Sequence, residues 1–81
     1  MIEWLPTKEM SKRTGIEQHL FKQLREAGLL TGRKQGHGYW WDTEEMDRFS
    51  KATRGMEISA KMIEENASLI RLNMLKQKNT D

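Results

Sequence analysis

Gln18, His19, Lys22, Gln23, Arg25 and Glu26 fall on one side of a stretch whose other side is Ile16, Leu20, Leu24 and Ala27, with Phe21 beside that stripe. Apolar residues at this spacing predict an amphipathic helix over about residues 17–27. Its outer side would carry amides and basic groups, most of them long enough to reach into a nucleic-acid groove. Each type has a chemistry there. Lys22 and Arg25 suit phosphates or guanine edges, Gln18 or Gln23 can pair in bidentate fashion with adenine, and His19 can add a hydrogen bond. Lys12 and Arg13 before the helix, and Arg33, Lys34 and His37 after it, suit phosphates, where contacts fix register without reading sequence. A polar outer row is also what any amphipathic helix shows to water, so the elements around it decide between the two readings.

Those elements are marked by punctuation along the chain. Pro6 disfavours helix at Leu5, so residues 1–6 are expected to be extended. Thr7 is expected to cap a short helix ending near Arg13, with Met10 facing inward and Thr14-Gly15 as its stop. Gly28 should end the second helix and Leu29-Leu30 return the chain to the core. Residues 31–41 read as a hairpin with a basic tip from Arg33 to His37, followed by the strand-forming Tyr39-Trp40-Trp41. Of the two adjacent Trp, one should point in and the other out. Asp42 or Thr43 is expected to cap a third helix, Asp42 and Glu45 having capping-box spacing, with Met46 and Phe49 turned to the core.

From Met56 to about Gln77 there is neither Gly nor Pro, which predicts one long helix, with fraying expected over residues 79–81. Met56, Ala60, Ile63, Ala67, Ile70 and Met74 recur at steps of four and three, a heptad seam suited to a homodimeric coiled coil. Ile58, Met62, Leu69, Leu72 and Leu75 widen that apolar surface and make folding back onto the rest of the chain the competing outcome. Parallel and antiparallel pairing are both open. The expected division is a head over residues 1–55 and a helix for dimerisation or partner binding over residues 56–81.

Composition narrows the function classes. The chain has 81 residues, 36% hydrophobic and 32% charged, so the core must be small. It has no Cys, which removes disulfides and thiolate chemistry. The net charge of +2 is uneven: Lys8 to Trp41 holds seven Lys/Arg against three Glu, and Asp42 to Asp47 holds four acids and no base. The basic part coincides with the candidate reading residues, as an electrostatic footprint on phosphates requires. His19 and His37 have no third ligand at a metal-site spacing. Glu44-Glu45 and Glu64-Glu65 read as helix surface, and no phosphate-binding glycine motif or activated nucleophile is present. The expectation is a protein that is not an enzyme, takes no metal or cofactor, and has no membrane span or signal peptide.

In order, Glu9-Met10-Ser11-Lys12-Arg13-Thr14-Gly15-Ile16, Lys22 followed by Gly28-Leu29-Leu30, and Gly38-Tyr39 through Thr43-Glu44-Glu45-Met46 resemble the head of MerR-type regulators. The resemblance spans about residues 5–50. It departs at Gln23-Leu24, where that family has an aromatic pair, and at Trp40, where its wing commonly has Arg. Small phage and plasmid excisionases share the same reduced head. The resemblance implies a mainly α fold, a small winged helix-turn-helix with a β-hairpin wing followed by a long C-terminal helix, and it adds Tyr39 of the wing to the DNA-contacting residues. It implies a dimeric, sequence-specific binder of double-stranded DNA, most simply a bacterial or phage transcriptional regulator in the nucleoid-containing cytoplasm. An excisionase-like DNA-bending factor, a DNA-to-protein adaptor in plasmid or chromosome segregation, and a non-DNA interaction module whose long helix docks on a protein are the alternatives.

Overall fold

The first turn of chain after Pro6 shows how the sheet and helices are tied. The computed structural model describes residues 3–78; the fraying expected at 79–81 lies outside them. Strand β1 (Trp4–Pro6) runs directly into helix α1 (Thr7–Thr14), and Pro6 rather than Thr7 occupies the cap position. The Thr7 side chain makes no capping bond. Its hydroxyl instead accepts from the Trp41 indole N–H at 2.8 Å and donates to the Tyr39 carbonyl at 3.3 Å. The expected cap is therefore a link between the start of α1 and a strand more than thirty residues away.

Helix α2 (Gln18–Glu26) follows across a tight turn. Gly15 sits at φ 79 and its N–H bonds back to the Ser11 carbonyl at 2.8 Å, the one-bond left-handed helix stop. Hydroxyls secure the turn on both sides: Ser11 Oγ donates to the Ile16 carbonyl at 2.6 Å, and Thr14 Oγ1 accepts from the Ile16 N–H at 3.2 Å. Helix α2 ends in a Schellman motif, with the Leu29 N–H on the Leu24 carbonyl, the Gly28 N–H on the Arg25 carbonyl, and Gly28 at φ 78.

Strands β2 (Arg33–Gln35) and β3 (Gly38–Asp42) form the hairpin, turning over Gly36-His37. The sheet order is β1-β3-β2, antiparallel throughout, with Leu5 opposite Trp41 and Lys34 opposite Tyr39. Alternation sends Trp41 into the core, where it is 2% exposed, while Trp40 on the other sheet face is half-buried. Helix α3 (Thr43–Ala52) starts on the Asp42 carboxylate, which accepts from the Glu44 and Glu45 N–H groups. The expected reciprocal half of the capping box is not made. The Glu45 carboxylate accepts from the Thr31 N–H and hydroxyl at 2.7 and 3.0 Å, fastening the entry to the hairpin onto α3.

Helix α4 (Ala60–Lys78) begins four residues later than its lack of breakers predicts. Ser59 stops it from starting sooner: its Oγ accepts from the Met62 N–H and its carbonyl from the Ile63 N–H, the two bonds of an N-cap. Met56 thus lies outside the helix. The seam expected to pair with a second chain lies on α2 and α3 instead, with Ile63 and Ile70 at 0% exposure, Met74 buried, Ala67 half-buried and Ala60 exposed. The helix runs about 28 Å within a chain whose principal extents, α4 included, are 32 × 30 × 19 Å. One core joins Met10, Leu20, Phe21, Leu24, Trp41, Met46 and Phe49 to Ile63, Ile70 and Met74 across the expected boundary at residue 55. The chain is mainly helical, with four helices and one small three-stranded antiparallel sheet among the described residues. None of these helices is long and apolar enough to cross a membrane.

Candidate nucleic-acid interface

The polar side of α2 divides in two. Gln18, Lys22 and Arg25, spaced by four and three, line an open cavity of about 220 Å³ together with Thr7, Phe21, Tyr39 and Trp41. The buried side of α2 builds this arrangement: Leu20 and Leu24 face the core, and Phe21, between them and the cavity, packs on Trp41 with ring centroids 5.2 Å apart. That contact sets α2 against the inner face of β3. Tyr39, two residues from Trp41 on the same sheet face, continues the aromatic row at 6.0 Å. The Arg25 guanidinium stacks on the Tyr39 ring, 4.6 Å from its centroid. Stacking of this kind holds a cation in place while leaving its N–H edges free to meet an acceptor.

Gln23 belongs to the other side. Its Nε2 donates to the Ala60 carbonyl at 2.7 Å, and the residue is only half-exposed. The expectation that it reads adenine is corrected by this bond: its amide is engaged at the start of α4, away from the cavity. The helical spacing that put Gln23 outside could not reveal that α4 would lie there. His19 is exposed, with Nδ1 3.4 Å from the Glu17 carboxylate, and it stands beside the cavity residues without lining the cavity. Lys12 and Arg13 are exposed in the last turn of α1, immediately before the turn into α2.

The hairpin residues also separate. Lys34 lies opposite Tyr39 and shares its sheet face, the side on which α2 packs. Arg33 lies opposite Trp40 on the reverse face, its guanidinium 5.7 Å from the Trp4 ring centroid. His37 is exposed in the turn. Arg33 and Lys34 therefore serve two different surfaces, although the sequence makes them neighbours in one basic tip. The strand assignment moves both out of the tip, which is Gly36-His37 alone.

Thr7 is the cavity residue that sequence reasoning assigned elsewhere. Its partners lie 32 and 34 positions away, and no local spacing signals them. The site as a whole is a cationic, amide-bearing rim above an aromatic floor. It can accept a polyanion that also offers flat or apolar groups. Compared with known proteins, the chain matches no family model, no curated protein and no solved structure.

Proposed function

We propose that the chain is a winged helix-turn-helix protein that binds double-stranded DNA sequence-specifically and acts as a small transcriptional regulator. In this reading α1 and α2 are the helix-turn-helix, α2 enters the major groove, and the β2–β3 hairpin is the wing. The observation that carries it is the row of Gln18, Lys22 and Arg25 on one exposed strip of α2, with Arg25 stacked on Tyr39 of the adjoining hairpin. Gln18 is the base-reading residue. Lys22, Arg25 and Lys34 neutralise phosphates on the strand between helix and wing, and Lys12 and Arg13 grip the flanking backbone. His19 sits at the edge of the reading row, and Arg33 and His37 contribute only long-range charge. Such a protein works on the nucleoid in the cytoplasm, without a catalytic step or a cofactor.

The test is a titration against duplexes selected from random sequence, repeated across salt concentration. Affinity should fall with a log–log slope of about −0.9 per neutralised phosphate. Lys22→Ala and Lys34→Ala should each weaken binding to all sequences and flatten the slope by about 1, whereas Gln18→Ala should relax preference at one base pair by roughly 1–3 kcal/mol. Arg33→Ala should change binding less than Lys34→Ala. Salt-independent binding, or wild-type behaviour of both Lys variants, would remove DNA as the ligand.

A further inference from the structure

The sheet turns one face to the core, with Leu5, Tyr39 and Trp41. On its reverse face the alternation of the strands collects Trp4, Pro6, Trp40, Asp42 and Arg33. Pro6, Trp40 and Arg33 form one row straight across β1, β3 and β2. Trp4 stands diagonal to Trp40 on the neighbouring strand, a separation of about 7–8 Å that sets two indoles side by side. Both are only half-buried, so part of each ring meets solvent. Arg33 is exposed on β2, yet its guanidinium lies 5.7 Å from the ring centroid of Trp4 on the far edge strand. Its side chain therefore crosses the middle strand and ends beside the indoles. Next to Trp40 along β3 the face is open: a Cβ at Gly38 would meet no atom within 4 Å beyond its chain neighbours.

We infer that this reverse face binds a single strand of nucleic acid, with bases stacked on Trp4 and Trp40 and a phosphate on Arg33. The chemistry of the face selects that occupant. Two neighbouring indoles offer flat apolar surfaces to successive bases, and such stacking accepts any base because every base has a π-face. Arg33 supplies the charge complementary to the backbone and keeps N–H edges available while it lies against Trp4. Asp42, the acid of this face, accepts from the Glu44 and Glu45 N–H groups, so its charge serves the start of α3. Gln35, exposed two residues beyond Arg33, can donate to or accept from a base edge. A duplex keeps its base faces inside its own stack, so the ligand of this platform must be unpaired. The face lies opposite the side on which α2 packs, and the inference does not depend on duplex binding by α2.

Fluorescence anisotropy of labelled oligothymidylate and oligouridylate of about eight nucleotides, titrated with the full chain, reads the inference directly. The oligonucleotides should bind, the tighter of the two naming the strand, and inorganic polyphosphate of matching charge should compete poorly because it has no bases. Trp4→Leu with Trp40→Leu keeps apolar bulk but removes the rings, and should weaken binding about tenfold or more. Trp4→Phe with Trp40→Phe keeps aromatic faces and should retain most of it, with the far-ultraviolet helix signal unchanged in both pairs. Binding of a selected duplex, measured alongside, should be the same in both pairs as in the wild type. A wild type that holds the oligonucleotides but no duplex overturns the function proposed above and leaves this inference standing. Three results overturn the inference: no oligonucleotide binding at high micromolar concentration, polyphosphate competing as well as oligothymidylate, or full binding in the Leu pair. A folded Leu pair that loses duplex and single strand together also overturns it, since both would then share one surface.

Discussion

Ile70 and Leu72 stand two residues apart on one helix, and truncating each to Ala separates a helix folded onto the body from one merely appended to it. Ile70 is 0% exposed against the core, and Leu72 is 49% exposed. Ile70→Ala removes three buried carbons and leaves a cavity between α4 and the body, which costs about 2–5 kcal/mol. Leu72→Ala removes a side chain already half in water and should stay within about 0.5 kcal/mol. A chain of 81 residues has a total stability of roughly 4–12 kcal/mol, so the first change consumes a large part of it and the second almost none. In urea, with a slope of about 1–3 kcal/mol/M, Ile70→Ala should lower the midpoint by about 1 M or more and Leu72→Ala by a few tenths. The melts belong at concentrations dilute enough that self-association contributes nothing. By the same logic Ile63→Asp with Ile70→Asp should unfold the whole chain rather than release monomers with intact heads. Equal, small shifts for the two Ala variants, or an α4 that melts in a separate early transition, would refute a shared core.

Two further outcomes test the joints around the cavity. Thr7→Val keeps the shape of Thr7 but strips the Trp41 indole N–H of the hydroxyl that accepts from it, so it should cost about 1–3 kcal/mol, while Thr7→Ser should cost less; equal melting of both would mean the hydroxyl is dispensable. Gly28→Ala forces a side chain into φ 78 and sets its Cβ 2.9 Å from Arg71 Nη2, so it should destabilise by about 1–2 kcal/mol, with a smaller loss in an Arg71→Ala background. A double-mutant cycle with no coupling would show that the two groups do not compete for that space.

How much of this was legible in the chain differs by element. The 3.6-residue stripe of Ile16, Leu20 and Leu24 marked α2, and the Gly stops at 15 and 28 marked its ends, because caps and periodicity are local. Asp42 as a cap is local too, and it was readable. What escaped is tertiary. Thr7 looks like a cap until Trp41 claims its hydroxyl, and Glu45 looks like half a capping box until Thr31 takes its carboxylate. Gln23 looked like a reading residue for the same reason: the helix wheel shows which side faces out, not which neighbouring helix will cover it. The heptad of α4 carried the period of a coiled coil without naming its partner, and the partner is the chain's own α2–α3 surface. Ser59 is the local signal there, a cap set inside a run that has neither Gly nor Pro after Gly55.

The bonds that cross from α2 to α4 have a consequence for how the molecule can be cut or driven. Gln23 holds the Ala60 carbonyl near the start of α4, and 11 residues further along the helix Arg71 Nη2 donates to the Ala27 carbonyl at 2.6 Å, where α2 ends. The helix that carries Gln18, Lys22 and Arg25 is therefore clamped at two points to the same rigid rod. A fragment ending near residue 55 would lose the back wall of its own core along with both clamps, so the segment is no interchangeable module to be grafted onto another oligomeriser. Conversely, a force or partner that rotates α4 must turn α2 with it or break those two bonds. The exposed strip of α2 and the outer leucines of α4 are thus carried on two helices joined by these bonds and by a shared core.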